Sequence, residues 1–334
     1  MIVRRHGIGK VNVNWRRCDR TDLGFLGTIG GCIAGAEARH PGLIPDLRKG
    51  RGLVAASDYG GEHETAMWST YCYAVAQLDD AARWAVETRP LRAQLLPDGR
   101  RMGFKRLGDG VRARALPSFL ASANDLRGLL VCFAVQRRIA SLFALGRLDP
   151  SRLEYEPLRR YPAHVAEKVL RVTHLLALLV AGLSGADQDL LWLTDEDPIA
   201  ATPDHLRTLT DVIGRATADV LPHQMRHLRV ATARGDPGDR SVEDLLAIPD
   251  LVAGTLAGFL AHILGEHGAP PSGMFLPRPE QMPLKLRELS DWFSDSTQRL
   301  SRLVLIIDQT SGGSSRATHF RFHGSRDAQA GIGV

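Results

Sequence analysis

Three aspartates stand where the neighbouring sequence makes a carboxylate costly. Asp250 interrupts an apolar run, LLAIPDLVAGTLAGF, within 241–259. Asp58 closes the run LVAAS, and Asp195 closes LLWLT. A carboxylate in apolar surroundings needs hydrogen-bond donors, a partner cation or a metal ion to offset its lost hydration. Three of them from distant segments point to one shared cation site. Carboxylate oxygens are hard ligands and suit Mg²⁺ or Mn²⁺. Two such ions about 4 Å apart activate a water and stabilise the leaving oxygen when a phosphodiester is hydrolysed. On this reading Asp58, Asp195 and Asp250 are both the metal ligands and the catalytic set, with Asp197 and Glu62 as supplementary ligands.

Each acid also has a plainer reading. Asp58 and Asp195 fit aspartates that open a turn after a strand, and Asp250 fits a helix-surface acid beside a kink at Pro249. Glu62 and Glu64 lie in the turn that follows Asp58. Asp197 could replace Asp195 or join it. Asp244, nearly two helical turns before Asp250, fits helix capping better, and Asp308, at the end of RLVLIID, fits a hairpin turn. His63 could position water or phosphate beside Asp58, although a loop histidine without a role is the simpler reading. His223 and His227 are interrupted as a metal pair by the chain around Pro222. The Gly-rich stretch GFLGTIGGCIAGAE has no GKS or GKT and is read as turns and close packing rather than a phosphate loop.

The elements that position these acids follow from periodicity. Strands are expected at 52–58 and 65–77, joined by a Gly-containing turn, with a third short strand at 101–107. A short helix is expected at 118–127 and an apolar strand, or a continuation of that helix, at 129–136. Helical spacing predicts a helix over 163–183, a strand at 189–194, and a helix over 203–220 with Thr202 as N-cap and Pro203 in the first turn. A strand at 228–233 precedes a long helix, 241–264, with Ser241 and Asp244 arranged like a capping box. Beyond a Pro/Gly-rich stretch, 284–300 is amphipathic, and RLVLIID and ATHFRFH can pair as a hairpin. A further short hairpin is expected from IVRRHGIGK and the VNVNWRR that follows it. This is an α/β chain with a mixed sheet flanked by helices. It divides into a basic, Gly-rich N-terminal extension at 1–48, a main domain at 49–265, and a C-terminal extension at 266–334.

The chain has 334 residues and a formal net charge of +5. Its basic residues crowd two segments, 1–20 and 89–114, which suit a phosphate backbone, or equally a solvated face in an Arg-rich chain. Cys18, Cys32, Cys72 and Cys132 form no CxxC pair and no zinc spacing, as expected of reduced thiols in a cytoplasm. The longest apolar run considered, 175–183, is too short to span a bilayer, and no secretory signal opens the sequence, so no membrane role is expected.

SDYGGE at 57–62, LLWLTDED at 190–197 and LLAIPDLVAG at 245–254 together resemble the ribonuclease H-like superfamily, and most closely the domain-of-unknown-function 3800 family of bacterial proteins. The resemblance covers roughly 50–265. It implies a first strand ending in Asp58, a middle strand ending in Asp195 and a late helix carrying Asp250, on a ribonuclease H-like mixed sheet. It further implies a metal-dependent nuclease fold acting on DNA or RNA. The chain departs from the pattern at Tyr59-Gly60-Gly61, where the family has Glu-Ser-Gly, and at Ala247-Ile248-Pro249, where it has Gln-x-Ala. For the helical glutamate of ribonuclease H proper, Asp125 is the one candidate. Two other functions fit the same residues: an inactive nucleic-acid-binding module, or a subunit that docks on a protein partner.

Overall fold

A computed structural model describes residues 13–17, 24–63, 66–143, 146–236, 238–267, 282–295, 298–310 and 312–321. Among them one mixed sheet runs through the molecule. Its strands are β1 (Gly52–Gly60), β2 (Trp68–Gln77), β3 (Gly128–Gln136), β4 (Asp189–Thr194), β5 (His227–Thr232), β6 (Leu300–Gln309) and β7 (Ser315–Phe320). The spatial order is β5-β4-β1-β2-β3-β6-β7. The pairs β1–β2, β2–β3 and β6–β7 are antiparallel, while β4 lies parallel to β1, β5 to β4 and β6 to β3.

Among the described residues, α-helices cover the two faces of this sheet: α1 (Phe25–Arg39), α2 (Leu78–Leu95), α3 (Gly110–Asp125), α4 (Ala163–Leu183), α5 (Pro203–Val220), α6 (Ser241–His267) and α7 (Leu284–Ser294). Alternation along the strands divides the core in two. Leu53, Ala55, Tyr73, Val131, Phe133 and Trp192 pack with α1, α4 and α5. Val54, Ala56, Cys72, Cys132, Leu193 and Val304 pack with α2, α3, α6 and α7. Central strands buried on both faces need continuous apolar runs, which is why β3 reads GLLVCFAVQ.

Several expectations change. The Gly-rich stretch is the helix α1, not a set of turns. Residues 101–107 form no strand. They hold a short 3-10 turn, Phe104–Arg106, lying on α6. Residues 78–95, not anticipated as an element, form α2, whose buried face is Ala81, Trp84, Thr88 and Arg92. The short helix expected at 118–127 is α3, which is longer. Its last residue, Asp125, is exposed and leads into the N-terminal end of β3, opposite the end where β1 reaches Asp58. α6 runs unbroken through Pro249. Its first turn is held not by a Ser241–Asp244 box but by Asp236, whose Oδ2 accepts from the amides of Val242 and Glu243 at 2.9 and 3.4 Å. The C-terminal hairpin forms as expected, and β6 extends the same sheet beyond β3. Residues 13–17, the described part of the expected N-terminal hairpin, form no strand, while the rest of it, Cys18 and most of the Pro/Gly-rich stretch lie outside the described residues. By length and composition Ser241–His262 could cross a membrane, unlike the run at 175–183, but it is mostly buried inside the fold, as befits a core helix.

Candidate metal centre

The last rung of the parallel β1–β4 pair is Ser57↔Thr194, so the next residues on the two strands are Asp58 and Asp195. Period-2 alternation sends Ser57 toward the α4 face, where its Oγ accepts from Trp192 Nε1 at 2.9 Å, and sends Asp58 toward α6.

α6 brings Asp250 to this point through close backbone contact. Thr70 Oγ1 on β2 donates to the Ala253 carbonyl at 3.0 Å. A Cβ on Gly60 would stand 2.6 Å from Thr70 Oγ1 and 3.0 Å from that carbonyl, so β1 can pass only as glycine here. The turn after Met102 closes over the acid, and the Phe104 amide donates to Asp250 Oδ2 at 2.9 Å. Replacing Thr70 with valine keeps the shape and removes the donor to Ala253. It is expected to cost about 1–2 kcal/mol of stability by urea unfolding, the scale of one lost buried hydrogen bond.

The three acids form one electrostatic group. Burial, with Asp250 and Asp195 beside it, pushes the Asp58 carboxyl well above the usual carboxylate range. Burial also raises Asp250, while hydrogen bonds from Asp58 and from the Phe104 amide act against that rise. Asp58 and Asp250 hydrogen-bond to one another through their side chains. Asp195 is exposed at the rim.

The supplementary acids are engaged elsewhere. Lys168, from α4, is ion-paired with both Glu62 and Asp197. Burial works against its charge, but the two carboxylates leave its pKa above the ordinary lysine value. Asp197 Oδ1 also accepts from the Ile199 amide at 3.0 Å. Asp244 does not share the cluster. It forms a buried two-pronged pair with Arg92, both bonds 2.8 Å. Asp308 pairs with Arg316 across the β6–β7 hairpin, as its turn position suggests. Glu64 lies outside the described residues.

A cleft of about 530 Å³, open to solvent, runs over the acids. Asp58, Asp195, Asp197, Asp250 and Glu62 line it together with His63, Arg101, Lys105 and Arg106. Glu243, one helical face below Asp250, also lines it and had no signal in the sequence beyond its heptad spacing from that acid. Arg101 Nε and Arg240 Nη1 hold its Oε1 at 2.6 and 2.7 Å, and its buried Oε2 has no hydrogen-bond partner. Much of the basic segment is spent internally: Arg89 on Asp239, Arg92 on Asp244, and Arg100 and Arg112 on Asp109.

The donors are of the kind a hard divalent cation takes, because two buried carboxylates are in contact beside a third acid. A cation among them would relieve their mutual repulsion. The shell is not closed, however. Among the described residues no three His, Cys, Asp or Glu side chains stand ready around one point. No family model matches the chain, and no curated protein matches it at significant similarity.

Proposed function

We propose that the chain is a Mg²⁺- or Mn²⁺-dependent nuclease of ribonuclease H-like type, with Asp58, Asp195 and Asp250 as its metal-holding and catalytic residues. One observation carries the reading: the buried side-chain contact of Asp58 with Asp250, with Asp195 beside it at the end of the neighbouring parallel strand. The order of elements supports it. Antiparallel strands come first, then strands alternating with helices, then the helix bearing Asp250. A divalent ion here supplies Lewis-acid stabilisation of a phosphoryl oxygen and a more acidic water. The chain's own carboxylates orient it, and burial on one side keeps their field strong. The test is hydrolysis of labelled DNA and RNA oligonucleotides with Mg²⁺, with Mn²⁺ and with chelator. No metal-dependent cleavage of either polymer removes the reading.

Nucleic acid is the proposed partner, held by cations at the cleft. Lys105 and Arg106 line the cleft and are exposed, while Asp98, Asp109 and Asp239 are held by other arginines. The double variant Lys105→Ala, Arg106→Ala is expected to weaken oligonucleotide binding at all sequences alike. The slope of log affinity against log salt should fall by about 0.7 to 0.9 for each phosphate that is no longer neutralised. An unchanged slope would move the interface elsewhere. The free thiols of Cys32, Cys72 and Cys132 support a reducing, cytoplasmic setting.

A second reading is a binding module without turnover, on its own or docked on a protein partner. The open shell around Asp195 favours it. Oligonucleotide binding that persists without cleavage under every metal would select it.

A further inference from the structure

Arg101 and Glu243 both line the cleft over the acids, and they meet there as an ion pair. Glu243 stands in the first turn of α6 with its side chain 3% exposed. Its Oε1 lies 2.6 Å from Arg101 Nε and 2.7 Å from Arg240 Nη1, and its buried Oε2 has no hydrogen-bond partner. A carboxylate so far from water depends on its cations, so it holds Arg101 in place. Arg101 itself is 46% exposed. Among the described residues its guanidinium has no ion pair or hydrogen bond besides the contact with Glu243. The backbone beneath it is pinned as well. The Arg101 carbonyl accepts from Arg112 Nε at 2.7 Å, Met102 is buried, and a Cβ on Gly103 would stand 2.8 Å from Asp250 Oδ2. The segment that carries Arg101 is therefore the one that closes on Asp250.

A guanidinium tied through Nε keeps Nη1 and Nη2 to meet two oxygens of one phosphate, a fork that lysine does not have. Held beforehand, it loses little freedom on binding. Glu243 precedes Asp250 by two helical turns, about 10 Å along α6. A phosphate on this fork is thus offset from one lying over the acids. Resting on the nucleic-acid reading above, we propose that Arg101 holds a flanking phosphate of the bound strand and that Glu243 is the residue that positions it. The substrate class is then a chain of linked phosphodiesters rather than an isolated diester.

Two substrates separate this site from the chemistry: a labelled oligonucleotide, and bis(4-nitrophenyl) phosphate, a diester with no neighbouring phosphate. Arg101→Ala alters an exposed side chain, and circular dichroism checks that it folds. The ratio of kcat/KM, oligonucleotide over small diester, is expected to fall about tenfold in this variant, through KM, the scale of one charge-assisted contact. Arg101→Lys, which keeps the charge without the fork, should recover only part of the ratio. Oligonucleotide anisotropy in chelator should show the same weakening with no turnover. Glu243→Gln should weaken oligonucleotide binding by itself but not further in the Arg101→Ala background, because it acts through that arginine. A purely structural role for Glu243 would lower the melting temperature in both backgrounds and spare the ratio. Further weakening in the Arg101→Ala background overturns the role given to Glu243. Equal losses on the two substrates, or no loss on either, overturn this inference and leave the nuclease reading standing. A wild-type chain that cleaves neither substrate, yet binds the oligonucleotide through Arg101, removes the nuclease reading and keeps the site. A wild-type chain that binds no oligonucleotide removes both.

Discussion

Asp250→Asn is expected to abolish metal-dependent cleavage while leaving the protein as stable as before, or more so. The asparagine carbonyl can still accept from the Phe104 amide, which Asp250 Oδ2 now does at 2.9 Å. Its amide group can still meet Asp58. The negative charge is lost, and with it the repulsion that, together with burial, raises Asp58. Removing that repulsion favours the folded state, so the melting temperature without metal should hold or rise. Stability gained where activity is lost is the usual signature of a strained functional site. Cleavage should fall at least about a hundredfold, since losing a few kcal/mol of transition-state charge stabilisation costs that much. Asp58→Asn should behave alike. If both variants cut at the wild-type rate, the carboxylates are not the site.

The second large effect concerns a residue outside the cleft. Arg92 and Asp244 are 9% and 6% exposed, and the guanidinium also donates to the Arg100 carbonyl at 3.1 Å. Even with this fork, burial pushes the Asp244 pKa up to about 6. Arg92→Met would leave an unpaired buried carboxylate, at a cost of about 3–5 kcal/mol near pH 8. That is a large share of the 5–15 kcal/mol that holds a typical domain folded. The sign of the pH dependence follows. A carboxylate whose folded pKa lies above its unfolded value stabilises fully below the unfolded value, and that contribution is lost as pH rises through the folded value. Without Arg92 the folded pKa moves higher still. The defect should therefore be largest at pH 8, shrink as pH falls toward about 6, and level off below that, where Asp244 is protonated in both proteins. Urea unfolding at pH 8 and pH 5.5 checks this. An equal defect at both values would mean that Asp244 is not the group left uncompensated. Arg92→Met with Asp244→Leu should recover most of the loss.

The same two residues show where sequence reading stops. The strand ends at Asp58 and Asp195 and the helix carrying Asp250 could be read because apolar runs have a period and their interruptions stand out. α2 could not, because its inward face is Ala81, Trp84, Thr88 and Arg92, and two of those four are polar. Arg92 faces inward because Asp244 is waiting 152 residues away, a fact no local window holds. α1 was hidden by its glycines, which lower helix propensity. Gly30 lies on the side facing α4, where a Cβ would touch Leu178 at 3.4 Å, so packing decides what propensity opposes. Lys168 sits in a helix whose apolar spacing drew attention to its neighbours, and its partners come from two other segments. The acids were visible singly. The contact of Asp58 with Asp250, the loss of Glu62 and Asp197 to Lys168, and the presence of Glu243 all depend on tertiary placement.

The position of β1 between β2 and β4 has a consequence for how the molecule is made. The β1–β2 pair is a near-neighbour hairpin, whereas the Ser57–Leu193 hydrogen bond on the other side closes 136 residues of chain. Phe104 and Asp250 close another 146. Pairings of such length carry a heavy loop-closure entropy and form late. Asp58 therefore leaves the ribosome early, in a hairpin that can fold, but it has no partner until α6 has followed it. A growing or truncated chain that ends before Asp250 has strands but no cleft. The cleft is therefore assembled late, as one cooperative event in which α6 brings Asp250 to the strand end that has carried Asp58 from early on.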